Sequence, residues 1–286
     1  MYHERINKTI IYIENNLSNK ITLDELADEA MLSKYYYHRL FHVLTGEPVM
    51  EYIRKRRLGR AVKQMNETTL GLLEIAVDNQ FESQEVFTRA FTKHFGITPA
   101  KYRKIEEKVK LTDEIAVVGI ESGKRKNGVQ PKIVVREAVK LVGMTIQTTV
   151  EENLKNFTIA KFHNEIFNKR MSEINGKRFE NIKYGICISD ETGENIFHTA
   201  CVEVGNKYSV PEGMEVIEMP YSRYMRFFHK GPPEKIPETY YYIYKEWLPY
   251  CGYELSKTGK DLQVYDCKKF DMFSEEFEME IFVPIE

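Results

Sequence analysis

The sequence predicts a two-part chain. An all-α segment of two helix-turn-helix units is followed by an α+β segment in which a strand-strand-helix-strand-strand pattern is used twice. Three observations carry this expectation. Up to about residue 108, apolar residues recur at helical spacing with almost no strand signal. Within that stretch one helical unit returns at an offset of 50, which lays Ser33 on Ser83, Arg39 on Arg89, Phe41 on Phe91 and Gly46 on Gly96. Chance rarely preserves a cap, a charge, an aromatic and a stop together. Beyond Lys110 the period changes from helical to alternating. At 286 residues the chain also has the length for two domains of roughly 100 to 200 residues each.

Taken in order, Ile6, Ile10, Ile11, Ile13 and Leu17 form a first amphipathic helix that closes near Ser18 and Asn19. Thr22 to Glu25 is a capping box for a second helix with Leu23, Leu26 and Ala27 inward. After a tight connection at Met31 and Leu32, Ser33 caps a third helix that runs to Thr45 and stops at Gly46. Pro48 opens a connecting helix, apolar along Val49, Tyr52, Ile53, Leu58, Ala61, Val62 and Met65 and ending near Asn66. The repeat then follows, so the two units lie at about 20–46 and 70–96, joined by helix 48–66.

The first domain is expected over 1–108 and a linker over 109–130. That linker holds Gly119, Gly123, Lys124 to Lys126 and Gly128, with one short apolar stretch at Ile115 to Ile120. The second domain, 131–286, reads as strands near 132–137 and 139–149, a helix near 154–172, and strands near 182–188 and 197–204. The same order then returns as strands near 214–219 and 222–229, a helix near 235–248, and strands near 262–268 and 277–283. Helices on one face of an antiparallel sheet are the expected layering.

The net charge of -2 conceals a mild asymmetry. Residues 1–108 hold 17 Lys+Arg against 15 Asp+Glu, or +2, and the rest 24 against 28, or -4. Distribution says more. Arg54 to Lys63 carries Arg54, Lys55, Arg56, Arg57, Arg60 and Lys63 with no acid, and Arg89 to Lys104 carries Arg89, Lys93, Lys101, Arg103 and Lys104 with no acid. Strips of this kind answer to a phosphate backbone whatever the total charge. No apolar run approaches the roughly 18 to 20 residues of a membrane helix, and the polar start MYHERINKT argues against a signal peptide, so a cytoplasmic protein without membrane contact is expected. Cys187, Cys201, Cys251 and Cys267 are scattered without a C-x-x-C pair, as reduced thiols would be. No phosphate loop, nucleophile elbow or His pair at metal spacing is present. His163 and His198 read as isolated structural residues, and no catalytic residue, metal or cofactor is expected.

A connecting helix of about 19 residues spans about 28 Å, comparable with the roughly 34 Å between successive major grooves on one face of DNA. The stretch from Phe81, FESQEVFTRAFTKHFGITPAKYRK, resembles the signature of AraC/XylS-family transcription regulators, and residues 4 to 104 match that family's double helix-turn-helix domain. One departure is Gln80, where the family usually has Gly. The resemblance implies promoter DNA as partner, with base-edge contacts at Tyr35, His38, Arg39, Gln84, Glu85, Thr88 and Arg89. The residue types agree, because Arg reads guanine, Gln adenine and Glu accepts from cytosine. Lys34, Arg56, Arg57, Lys93, Lys101 and Arg103 are expected to hold phosphates. The alternative for Arg39 and Arg89 is an internal salt bridge with Glu29 or Glu82.

The second segment, with WLPYCGYEL after its second helix and EIFVPI at its end, resembles the GyrI-like effector-binding domain over roughly 131–286, and the order of the two domains matches the Rob-type subgroup. This implies a small-molecule effector, apolar or cationic, with RNA polymerase as a further candidate partner. Glu203 in ACVEV and Glu280 in EMEIFVP are expected at corresponding places on the last strand of each half, facing a groove at the pseudo-twofold. A carboxylate there attracts an organic cation, and rings such as Tyr224 and Tyr241 offer faces for it. Family resemblance favours Glu280 as the ligand-binding acid and sets Trp247 in the pocket. Two alternatives stay open: a second domain that contacts a protein partner, and minor hydrolase activity on small electrophiles.

Overall fold

Capping signals in the sequence set the helix ends of the first unit. The computed structural model describes residues 2–104, 131–190, 195–266 and 277–286, in two units, Met1–Ser122 and Gly123–Glu286. The first contains α1 (Tyr2–Asn15), α2 (Leu23–Glu29), α3 (Lys34–Thr45), α4 (Val49–Glu67), α5 (Leu72–Asp78), α6 (Gln84–Phe95) and α7 (Pro99–Tyr102). Thr22 and Glu25 form a reciprocal capping box at α2. Ser33 and Ser83 accept from the Tyr36 and Val86 amides, and Gly46 and Gly96 close α3 and α6 at φ of 86° and 71°, where a side chain would be strained. Helix α1 ends at Asn15, about one turn earlier than expected.

Two cores share one spacer. The amino-terminal half of α4 buries Val49, Tyr52 and Ile53, with the Tyr52 ring 5.5 Å from Phe41 of α3. Its other half buries Leu58, Ala61, Val62 and Met65 with Ile75, Ala76, Phe87, Phe91 and Tyr102. Each end of α4 is therefore embedded in a different helix-turn-helix core, which holds the two units at a set separation. The turn before each recognition helix passes through a left-handed residue, Met31 at φ 55° and Gln80 at φ 61°. Both are non-glycine residues in a conformation that glycine adopts without cost.

The second unit contains β1 (Lys132–Arg136), β2 (Val139–Thr149), a helical run α8 over 150–173, β3 (Ile182–Ser189) and β4 (Asn195–Val204). The order repeats in β5 (Glu215–Met219), β6 (Ser222–Lys230), a helical run α9 over 233–250, β7 (Leu262–Asp266) and β8 (Glu278–Ile285). All eight strands join one antiparallel sheet in the order β1-β6-β8-β7-β3-β4-β2-β5. Exchanging the two halves leaves that order unchanged when it is read backwards, so the duplication is a pseudo-twofold through the β3–β7 pair. Both helical runs carry a widened turn at matching places, Phe162–Phe167 and Tyr242–Trp247. The expected linker, with its apolar stretch Ile115 to Ile120, lies outside the described residues, as does Cys267.

Strand alternation separates two faces. On one, Val142, Ala200, Val202 and Val204 pack with Phe162 and Phe167 of α8. Tyr240 and Trp247 of α9 meet Gln263 and Phe227 on this same face. His163 and His198, expected to be isolated, meet here with their Nε2 atoms 2.8 Å apart, and burial lowers both pKa values, His198 to about 4. The other face carries Leu141, Tyr184, Ile186, Cys201, Met219, Tyr224, Leu262 and Phe282, drawn from seven strands. No helix covers it. These side chains are buried because the sheet curls around them.

Candidate functional sites

On α6 the outward side chains of Gln84, Glu85, Thr88 and Arg89 line one shallow concavity with Thr92 and Lys93. The helix presents them because Phe87, Ala90 and Phe91 turn the opposite stripe into the core. Among the described residues Arg89 has no carboxylate within ion-pair range, so the internal salt bridge with Glu82 is absent. A hydrogen bond from Ser83 holds the Glu85 carboxyl below its ordinary range, which keeps it an acceptor. Thr92 was not singled out from the sequence; its spacing of four from Thr88 is the signal that places it there.

On α3, Arg39 donates to the Tyr35 hydroxyl and its guanidinium lies 5.6 Å from the Tyr35 ring centroid, an i, i+4 pair that orients both groups on the outer side. His38 departs from its expected exposure, at 7%. It lies only about 60° around the axis from Phe41, so it falls at the edge of the buried stripe. Lys34 is exposed and pairs with Asp24 at 2.7 Å.

Two arginines of the basic strip on α4 are engaged within the domain. Arg56 forms a two-pronged bond to Glu14 of α1, 2.7 and 2.8 Å, while the Tyr52 hydroxyl donates to the same carboxylate at 2.9 Å. Arg57 donates to the Leu17 and Asn19 carbonyls at 3.0 and 2.7 Å. These two guanidinium groups lock α4 to α1 and to the turn after it, because that turn leaves carbonyls without helical donors. Lys93, Lys101 and Arg103 remain exposed.

In the second unit Glu203, Tyr224 and Glu280 share the curled face. The two carboxylates do not occupy equivalent places. Tyr184 and Val264 pair across the pseudo-twofold, and they sit opposite Cys201 and Glu280 respectively. β4 ends at Val204 and β8 at Ile285, so Glu203 lies one residue from the end of its strand and Glu280 five from the end of its own, a difference the sequence pattern alone did not show.

Glu203 is 4% exposed. It accepts from the Tyr184 hydroxyl at 2.8 Å and Arg178 at 3.0 Å, with Arg136 at 3.7 Å. Burial, then the bond to Glu203, pushes the Tyr184 hydroxyl up to about 12. Glu280 is half-buried and pairs with Arg226, whose guanidinium lies 4.7 Å from the Phe228 ring. Arg136, Arg178, Tyr184 and Arg226 were not anticipated. Alternation would have put Arg136 on the face of Val134, but only the curl brings it to β3 and β4.

Trp247 and Tyr241 are not brought to these carboxylates. Trp247 stacks edge-to-face on Phe227 at 5.3 Å, and Phe227 points to the helical side of β6, away from Tyr224. Tyr241 is exposed on α9 with the Lys245 ammonium 4.6 Å from its ring. The sheet lies between both rings and the acids.

Among the described residues no helix is long and apolar enough to cross a membrane. Residues 26–105 match a helix-turn-helix domain model, and 132–285 match the integron-associated effector binding protein family. The HTH-type transcriptional activator AarP of Providencia stuartii is 38% identical over 98 residues, covering 34% of this chain and 73% of that one. The transcriptional regulator Rob of Salmonella typhimurium is 39% identical over 102 residues, which is 36% of this chain and 35% of Rob. A solved bacterial transcription regulation protein from Staphylococcus aureus is 19% identical, covering 56% of this chain and 99% of that one, with a TM-score of 0.41.

Proposed function

Because the chain belongs to the AraC-type helix-turn-helix transcription regulators and carries an integron-associated, GyrI-like effector-binding domain, we propose that residues 1–108 read promoter DNA while 131–286 sense an apolar organic cation. The segment 109–130 is their linker in this reading. The observation that carries the DNA part is the outer face of α6, where Gln84, Glu85, Thr88 and Arg89 stand together and Arg89 is not engaged by an acid. Arg39, aligned by Tyr35, supplies the matching group on α3. Helix α4 spans about 28 Å, so the two recognition helices reach neighbouring turns of a duplex that lie roughly 34 Å apart. Lys93, Lys101 and Arg103 hold backbone phosphates and position the domain without choosing a sequence.

The effector part rests on the curled face of the second unit, an apolar interior that contains two carboxylates and the rings of Tyr184, Tyr224 and Phe282. A cation with its charge spread over apolar surface gains there from burial, ring faces and carboxylate alike. Its preference for one arrangement of the regulator shifts the fraction competent to bind promoter DNA or engage RNA polymerase in the cytoplasm.

Selection on random duplexes tests the DNA assignment. Arg39→Ala and Arg89→Ala each relax preference at one half of the site and weaken binding by about 1 to 3 kcal/mol. Wild-type selectivity in both variants overturns it.

A further inference from the structure

The cage expected to take a cationic effector already holds a cation. Arg136 is the last residue of β1, which among the described residues is an edge strand paired with β6. Its side chain leaves that strand pair and crosses the interior. The guanidinium donates to the Tyr184 hydroxyl at 3.3 Å and lies 5.4 Å from the Tyr184 ring centroid and 4.9 Å from that of Phe282. It stands 3.7 Å from the Glu203 carboxylate, which is itself almost fully buried. Two ring faces and one buried acid around a planar, weakly hydrated cation are the elements that recognise an organic cation.

Resting on the effector reading above, we propose that Arg136 is an internal occupant of the effector cage and that a delocalised organic cation binds by displacing its guanidinium from Tyr184, Phe282 and Glu203. The chain thereby sets the threshold for its own ligand. A tethered group competes at an effective concentration far above that of a free molecule, so only cations with more ring and apolar contact than a guanidinium win the site. Displacement also moves the carboxyl-terminal tip of β1, the end that leads into β2. An edge strand with one neighbour gives way more readily than an inner one. Arg178 does not share this role. It approaches Glu203 from outside, with its side chain 60% exposed, and its ring contact is with Phe179 rather than with the cage.

The test uses the full chain and a pair of ions of equal shape and opposite charge, tetraphenylphosphonium and tetraphenylborate, with binding measured by titration calorimetry. Arg136→Met keeps the apolar stem and removes the cation. It binds the phosphonium about tenfold more tightly than wild type, with no comparable gain for the borate. Arg136→Lys keeps charge without the planar group and gains about threefold, which covers the case in which the methionine variant does not fold. In Arg136→Met combined with Glu203→Gln the gain disappears. Phosphonium binding to wild type that is unchanged or weakened in both single variants overturns the displacement and leaves the effector reading standing. Binding of neither ion to any form overturns the effector reading, and the displacement with it.

Discussion

Arg56 gives the sharpest separation between a side chain that holds DNA and one that holds the protein. In Arg56→Met the stem still packs, but Glu14 loses a two-pronged partner and keeps only the Tyr52 hydroxyl. The side chains of the pair are 17% and 30% exposed. That places it between exposed pairs, worth about 0.2 to 1 kcal/mol, and fully buried ones, where removing one partner costs about 3 to 5 kcal/mol. A loss of about 1 to 2 kcal/mol follows. For a helical domain of about 100 residues this lowers the unfolding midpoint by roughly 5 to 15 °C. Thermal unfolding followed by far-ultraviolet circular dichroism measures it. The companion assay is binding to a selected duplex between about 50 and 200 mM salt, where each lost phosphate contact flattens the log–log slope by about 0.9. The variant keeps the wild-type slope, whereas Lys93→Met keeps its midpoint and loses slope. An Arg56→Met protein with an unshifted midpoint and a flattened slope refutes the reasoning.

Three further outcomes test other parts of the molecule. Met31→Gly relieves a left-handed backbone that costs a side-chain-bearing residue roughly 1 to 2 kcal/mol and returns part of that as unfolded-chain entropy, so chemical denaturation finds it more stable by about 0.5 to 1 kcal/mol. Gln80→Gly gains less, since it gives up the bond from Gln80 to the Ser18 carbonyl at 2.7 Å. Gly143→Ala places a Cβ 2.1 Å from the Ala200 carbonyl oxygen and 2.4 Å from the Cys201 Cβ, so it destabilises the second unit by more than about 3 kcal/mol in urea, or leaves it insoluble. Because burial depresses both His163 and His198, the unfolded chain takes up protons that the folded one refuses. Stability is therefore full above the ordinary histidine range and falls as pH drops from about 6.5 toward about 4, by up to about 1.4 kcal/mol per pH unit for each proton. Urea midpoints at about pH 7.5 and 5.5 show this decline, and a His163→Phe, His198→Leu double variant shows a shallower one; equal slopes count against it.

Much of this protein is legible as one-dimensional pattern. Caps at Thr22, Ser33 and Ser83, stops at Gly46 and Gly96, and the repeat between them act within a few residues, so the helical unit and its recognition faces follow from sequence order. The doubled strand pattern likewise forecasts eight strands and two helical runs, since alternation and helical spacing are local properties. What the chain order could not decide depends on partners far away along it. Whether a basic residue on α4 meets water or Glu14 is set by how α1 packs across it, 42 residues distant. Which residues stand opposite Glu203 and Glu280 is set by strand register. The side of the sheet taken by Trp247 is set by how α9 docks. Above all, the curl that carries Arg136 from the edge of the sheet to Tyr184, Phe282 and Glu203 arises from the twist of all eight strands together, because no short stretch of sequence encodes the geometry of a surface built from its whole length.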